Sequence, residues 1–118
     1  MTDREELEIA VKALDSKKAT EITALKVKDL TILANYFVIA SASSTTQVKA
    51  LADEVEYRLE RAGVTPKSIE GAGSRSWIVM DYIDVIVHIF QEEQREFYQL
   101  ERLWADGEQV DISGIIAN

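Results

Sequence analysis

Apolar residues near the start of the chain are spaced for one helix and two strands. The helical positions are Leu7, Ala10, Val11 and Leu14. This interval of three or four residues predicts an amphipathic helix over about residues 3–17. The alternation from Ile22 to Val27 predicts a strand, and the almost continuous apolar run from Tyr36 to Ala42 predicts a strand that is covered on both faces.

A second helix is predicted directly after the buried strand. Gln47 stands three residues after Ser44, which is the capping-box pattern of a helix start. Apolar positions then follow one helical stripe until Gly63: Val48, Leu51, Ala52, Val55 and Leu59. The only proline, Pro66, precedes a short edge strand that is expected at about residues 67–70.

The last part of the chain predicts a β-hairpin and a final helix. Apolar runs at residues 77–80 and 84–90 are joined by three residues, which is typical of antiparallel neighbours with a tight turn. Residues 92–104 are expected to form the last helix, with Phe97, Leu100 and Trp104 on one stripe and Phe97 in the core. Gly107 ends this helix, and residues 107–118 are expected to form a tail.

The order of these elements indicates an α/β (α+β) fold, with a mixed β-sheet of about five strands flanked by helices. A chain of 118 residues is long enough for one domain with a modest core. We therefore expect a single domain over residues 1–106, followed by the tail.

The charge balance favours a basic partner. The chain has 21 acidic and 13 basic residues, a net charge of -8. An acidic surface does not grip the phosphates of nucleic acid, because that binding depends on Lys and Arg, so we expect little direct nucleic-acid contact. Opposite net fields speed the encounter with a basic protein. The alternative is that the charge serves solubility alone.

Several kinds of site are excluded or disfavoured by composition. The chain has no cysteine, which excludes disulfides and cysteine nucleophiles, and it has one histidine, His88, so a zinc site is not expected. We expect no metal and no cofactor. The N-terminus lacks the pattern of a signal peptide, and no apolar run is long enough to span a membrane, so a cytoplasmic protein is expected.

The strongest catalytic candidate is a nucleotidyltransferase-like site. Such enzymes place a Gly-Ser turn before a strand with two carboxylates, two residues apart, that hold magnesium ions. Gly73-Ser74 precedes Asp84 here, but Ile86 stands where the second carboxylate is needed. The residues therefore indicate no catalytic site and a protein that is not an enzyme. A one-carboxylate transferase, or a nucleotide-binding protein, that uses Ser74 and Asp84 stays open as the alternative.

The last third of the chain combines aromatic and acidic residues. Its aromatic candidates for an interface are Trp77, Tyr82, Tyr98 and Trp104, since Trp and Tyr often anchor interfaces. Between Gln91 and Asp111, seven acidic residues accompany two arginines, Arg95 and Arg102, which we expect to form ion pairs. Glu92, Glu93 and Glu96 form the acidic rim of the expected docking surface.

Several segments together resemble a known family, the Iojap-related ribosomal silencing factors. The matching segments are Tyr36–Ala40, Ser43-Ser44, Glu70-Gly71, Trp77–Asp81, Asp84–Phe90 and Arg95–Trp104. They recur in order over about residues 5–105. One departure is Asn35, where the family usually has Asp.

The resemblance implies a nucleotidyltransferase-like fold without the catalytic pair of carboxylates, commonly as a homodimer. It also implies binding to a protein of the large ribosomal subunit, L-fourteen, which blocks joining with the small subunit and represses translation under starvation. The partner contacts that it implies are Trp77, Ile78, Met80, Asp81, Tyr82, His88, Tyr98 and Trp104. A dimerisation module without a ribosome contact is a further alternative.

Overall fold

The computed structural model describes residues 1–116, which form four helices and six strands. In chain order they are α1 (Asp3–Ser16), β1 (Thr20–Lys26), β2 (Tyr36–Ala42), α2 (Thr45–Arg61), β3 (Ser68–Glu70), β4 (Trp77–Asp81), β5 (Val85–Gln91), α3 (Glu92–Tyr98), α4 (Leu100–Leu103) and β6 (Glu108–Gln109). The strands form one mixed sheet in the order β3-β4-β5-β2-β1-β6. The predicted fold class is confirmed, with six strands where about five were expected.

The two most apolar strands lie side by side at the centre of the sheet. β2 and β5 pair in parallel, with Tyr36 opposite Val85 and Ala42 opposite Gln91. The other strand pairs are antiparallel. Burial on both faces explains why these two segments are almost continuously apolar.

Helices α1 and α2 cover one face of the sheet and enclose the larger part of the core. Both helices begin where side chains cap free backbone N–H groups. Thr2 and Glu5 form a capping box at α1, and Ser44 accepts a hydrogen bond from the Gln47 N–H at α2. Their buried faces contain Leu7, Leu14, Leu51 and Leu59, all at most 1% exposed. Asn35, just before β2, donates a hydrogen bond to Asp3 over 2.8 Å.

The prediction of one continuous last helix is wrong. Gln99 has φ 46° and ψ 51°, in the left-handed region, so the chain ends α3 and starts α4 in a new direction. The helical stripe does not continue through this break. Leu100 packs against the sheet, whereas Phe97 is 78% exposed and not part of the core.

The segment after Gly107 packs onto the domain. β6 adds a sixth strand beside β1, pairing Glu108 with Lys26, which the predicted tail did not include. Val110, Ile112, Ile115 and Ile116 pack against the core under α1 and α2. The described part of residues 107–118 therefore belongs to the same folded unit, and residues 117–118 lie outside the described residues.

The residue at the tip of the β4–β5 hairpin has an unfavourable backbone conformation. Ile83 has φ 75° although it is β-branched, and its side chain is 62% exposed. The turn is fixed by a hydrogen bond from the Ile83 N–H to Asp81 Oδ1 at 2.8 Å and by one from the Tyr82 N–H to the Val85 carbonyl at 2.9 Å. Left-handed backbone costs a non-glycine residue about 1–2 kcal/mol, and glycine avoids this cost.

We expect Ile83→Gly to raise the free energy of unfolding by about 1 kcal/mol, because relief of strain outweighs the greater freedom of glycine in the unfolded chain. Urea unfolding measures the change. Ile83→Ala is the matched control, since it removes the exposed side chain but keeps a Cβ at positive φ. If the glycine variant is no more stable than the alanine variant, the backbone at Ile83 is not strained.

Candidate partner-binding surface

The alternation of side chains along β4 separates the predicted contact residues into two groups. Trp77, Val79 and Asp81 point to the face that α1 and α2 do not cover, and each is partly buried. Ile78 and Met80 point to the opposite face and are fully buried under α1 and α2. Sequence reasoning could not assign the two faces of a strand so rich in apolar residues.

Tyr82 also lies on the buried side. It is 4% exposed and packs in the core under α1 and α2. Burial, with Glu56 and Glu6 nearby, raises the pKa of its phenol. Ile78, Met80 and Tyr82 are therefore buried under α1 and α2, away from the face that carries Trp77.

The remaining aromatic candidates meet on the second face of the sheet. We call this group the aromatic row: Phe37, Trp77, His88, Phe90, Tyr98 and Trp104. The Trp77 ring stacks on Phe90 with centroids 4.7 Å apart and lies 4.9 Å from Tyr98. At the other end, the edge of Trp104 meets Phe37 at 5.1 Å.

The row is buried at its floor and open at its rim. Tyr98 is 47% exposed, and Trp77 and Trp104 are partly buried. Phe37 and Phe90 are at most 3% exposed and support the larger rings. Sequence reasoning missed these two as members of the row, although their register positions on β2 and β5 could have indicated them.

His88 lies in the middle of the row. Its Nδ1 accepts a hydrogen bond from the Trp77 indole N–H over 3.3 Å, and its ring meets the edge of Phe37 at 5.2 Å. Among the described residues, Nε2 has no hydrogen-bond partner. Burial lowers the pKa of this imidazole to about 4, so it is neutral at pH 7.

Arg95 fixes α3, and with it Tyr98, on the sheet. Its side chain is buried, and its Nη1 donates to the Glu21 carbonyl at 2.6 Å and to Ser41 Oγ at 2.9 Å. Nε donates to Glu101 at 3.3 Å, so the expected ion pair is present, and Nη2 donates to Thr23 at 3.3 Å. No ion pair is found for Arg102 within residues 1–116.

The acidic rim lies on the exposed side of α3. Glu92, Glu93 and Glu96 are all exposed. Glu92 and Glu96 line an open cavity beside the buried Arg95, together with Glu21 and Glu101. The carboxylates of the rim are therefore exposed on the same short helix that carries Tyr98.

Ser74 and Asp84 lie at opposite ends of β5. The Ser76 carbonyl, two residues from Ser74, accepts from the N–H of Gln91 at the end of this strand, while Asp84 immediately precedes its start. Seven residues of strand span roughly 20 Å, so the two side chains form no common site.

Asp84 instead neighbours carboxylates of α1. Burial and then the negative charges of Asp84 and Asp3 raise the pKa of Glu6, which is itself buried. Residues 1–116 contain no group of three or more His, Asp or Glu side chains that could hold a metal ion. In the same part of the chain, no helix is long and apolar enough to cross a membrane.

Comparison with known proteins places this architecture. The family model described as "Ribosomal silencing factor during starvation" matches residues 1–118. The chain belongs to the ribosomal silencing factor family. The family resemblance read from the motifs is thereby confirmed.

Individual relatives and solved structures agree with this assignment. The chain is 37% identical to the ribosomal silencing factor RsfS of Halalkalibacterium halodurans, over 99% of this chain and all of the relative. It is 36% identical to RsfS of Bacillus subtilis, over 95% of each chain. A crystal structure of a Chromobacterium violaceum protein superposes with a TM-score of 0.87 at 34% identity, covering 96% of this chain and 93% of the other.

We expect the buried His88 to make stability depend on pH. Its folded-state pKa of about 4 lies below the ordinary value of 6.5, so the unfolded chain takes up the proton first as pH falls. Relative to His88→Asn, the free energy of unfolding should fall by about 2 kcal/mol between pH 7 and pH 5.

Urea unfolding of both proteins at the two pH values measures this difference. The contribution of Glu6, whose raised pKa has the opposite effect, is present in both proteins and cancels in the comparison. NMR of the single histidine is the direct check. An imidazole that titrates near pH 6.5 in the folded protein would contradict the assignment.

Proposed function

We propose that this chain is a ribosomal silencing factor that binds the large ribosomal subunit through the basic ribosomal protein L-fourteen. The bound factor occupies the face that meets the small subunit, prevents joining and represses translation under starvation. The observation that carries the proposal is a partly exposed aromatic row beside an acidic rim, in a chain that belongs to a family named for ribosomal silencing.

The two parts of the surface supply different contributions to binding. Trp and Tyr side chains give large contact areas with little loss of conformational freedom, so Trp77, Tyr98 and Trp104 are the proposed anchors. The carboxylates of the rim attract a basic protein and speed its encounter. Asp81 is a proposed contact at the hairpin end of the same face, although its Oδ1 already accepts the Ile83 N–H.

The proposed role requires no reaction. Blocking is steric: it needs a stable complex on the joining face and neither a catalytic residue nor a cofactor. The distance between Ser74 and Asp84 argues against the one-carboxylate transferase.

The proposed place of action is the compartment that contains the ribosomes, here the cytoplasm. A homodimer and little direct contact with RNA stay predictions.

Trp77→Ala should weaken binding to purified large subunits about thirtyfold or more, because it removes the most central partly exposed ring. Co-sedimentation at fixed salt measures the affinity, and a light-scattering assay of subunit joining measures the block. Tyr57→Ala is the matched control, since Tyr57 is an exposed aromatic of α2, on the covered side of the sheet. Equal binding by wild type and Trp77→Ala would contradict the proposed surface.

Reversing Glu92, Glu93 and Glu96 to Lys should lower the affinity and also reduce its dependence on salt, because salt screens attraction between exposed charges. Co-sedimentation at salt concentrations from about 50 to about 300 mM gives both the affinity and its dependence on salt. The control reverses three exposed acidic residues outside the rim: Asp29, Asp53 and Glu60. If both triple variants lose affinity equally, net charge rather than the rim determines binding.

A further inference from the structure

His88 has a defined proton position. The indole N–H of Trp77 can only donate, so the Nδ1 that accepts it at 3.3 Å carries a lone pair. A neutral imidazole then has its proton on Nε2. His88 therefore presents one hydrogen-bond donor at Nε2.

This donor has no acceptor within the part of the chain that the structure describes. His88 is 8% exposed, and its Nε2 finds no acceptor among residues 1–116. A buried donor without a partner costs about 1–3 kcal/mol, so native proteins contain few of them. The aromatic neighbours Phe37 and Phe90 offer no oxygen acceptor in their side chains.

The position of the ring relates this donor to the proposed docking surface. His88 pairs in register with Val79 on one side and Ile39 on the other, on the face that α1 and α2 leave open. Val79, Ile86 and Trp77 around it are partly buried, and a docked chain reaches the buried Nε2 only after these side chains adjust.

We propose that His88 is a specificity-determining residue, whose Nε2–H donates to a main-chain carbonyl of the docked ribosomal protein. This inference rests on the proposed function. A carbonyl fits better than a carboxylate, because a partner carboxylate would approach against the net charge of -8 and the nearby acidic rim. A Lys or Arg side chain is unsuitable at this point, because it has no acceptor.

The geometry gives His88 a second effect through Trp77. The hydrogen bond to Nδ1 fixes one rotation of the indole, which stacks on Phe90 and contacts Tyr98. His88 is thus also a positioning residue for the largest proposed anchor. Both nitrogens have separate tasks, and substitutions can separate them.

Three variants test the proposal by co-sedimentation with large subunits. His88→Asn keeps a polar atom near Nδ1 for Trp77 but removes the donor at Nε2, and it should weaken binding roughly tenfold. His88→Gln places an amide N–H near Nε2 but lacks the acceptor for Trp77, so it should bind more tightly than the Asn variant and less tightly than wild type. His88→Phe removes both interactions and should bind at least as weakly as the Asn variant. Urea unfolding and tryptophan fluorescence show that each variant is folded.

A direct readout uses the single histidine of the chain. In ¹⁵N NMR, free protein should show a protonated Nε2 and an unprotonated Nδ1. Adding the purified ribosomal protein L-fourteen should move the Nε2–H signal downfield and slow its exchange with water. A proton on Nδ1, or an Nε2–H signal that does not change on binding, would overturn the proposal.

The outcomes separate this inference from the proposed function. If wild-type protein does not co-sediment with large subunits, both are overturned. If wild type and His88→Asn bind equally well while Trp77→Ala binds much more weakly, the docking surface stands and the donor at His88 is wrong.

Discussion

The guanidinium of Arg95 makes hydrogen bonds that tie three separate parts of the chain together. It donates to the Glu21 carbonyl where β1 is irregular, to Ser41 on β2 and to Glu101 on α4. A buried charge is tolerated only when such partners satisfy it. Because α3 is short and α4 shorter, these bonds rather than helical stability hold Tyr98 and Trp104 against the sheet.

The two faces of the sheet differ in how they are packed. Under α1 and α2 the packing is almost entirely aliphatic and closed, which supplies most of the hydrophobic stabilisation. The other face has fewer buried residues, and aromatic rings with polar edges occupy its open part. A surface of this kind stays compatible with water when it is free and offers apolar area when a partner covers it.

The sequence predicted those features that depend on local periodicity. The apolar stripes located α1 and α2, and the two apolar runs around Asp81–Ile83 located the β4–β5 hairpin. The break at Gln99 was not predictable, because a left-handed glutamine carries no local signal and Leu100 keeps an apparent helical spacing with Phe97. β6 was missed because Glu108 and Gln109 are polar edge residues without strand character.

The candidate surface was predicted only in part, for a related reason. Motifs indicated Trp77, His88 and Tyr98, but only the packing of α1 and α2 on one face of the sheet shows that Ile78 is buried and that Trp77 lies on the other face. The role of Arg95 as a link between α3 and β1 depends on residues that are distant in the chain, Glu21 and Thr23, and so no spacing rule indicates it.

The parallel pairing of β2 and β5 also has a consequence for how the protein folds while it is being synthesised. Each of these strands pairs with the other along its whole length, and β5 is synthesised well after β2. Until β5 has left the ribosomal tunnel, β2 has no partner on one side, and the apolar residues of α2 have only part of their sheet to cover. Contacts between such distant segments slow folding and leave apolar surface open in the meantime. The nascent chain therefore exposes apolar surface until late in its synthesis, and the aromatic row is incomplete until the strand that carries His88 is in place.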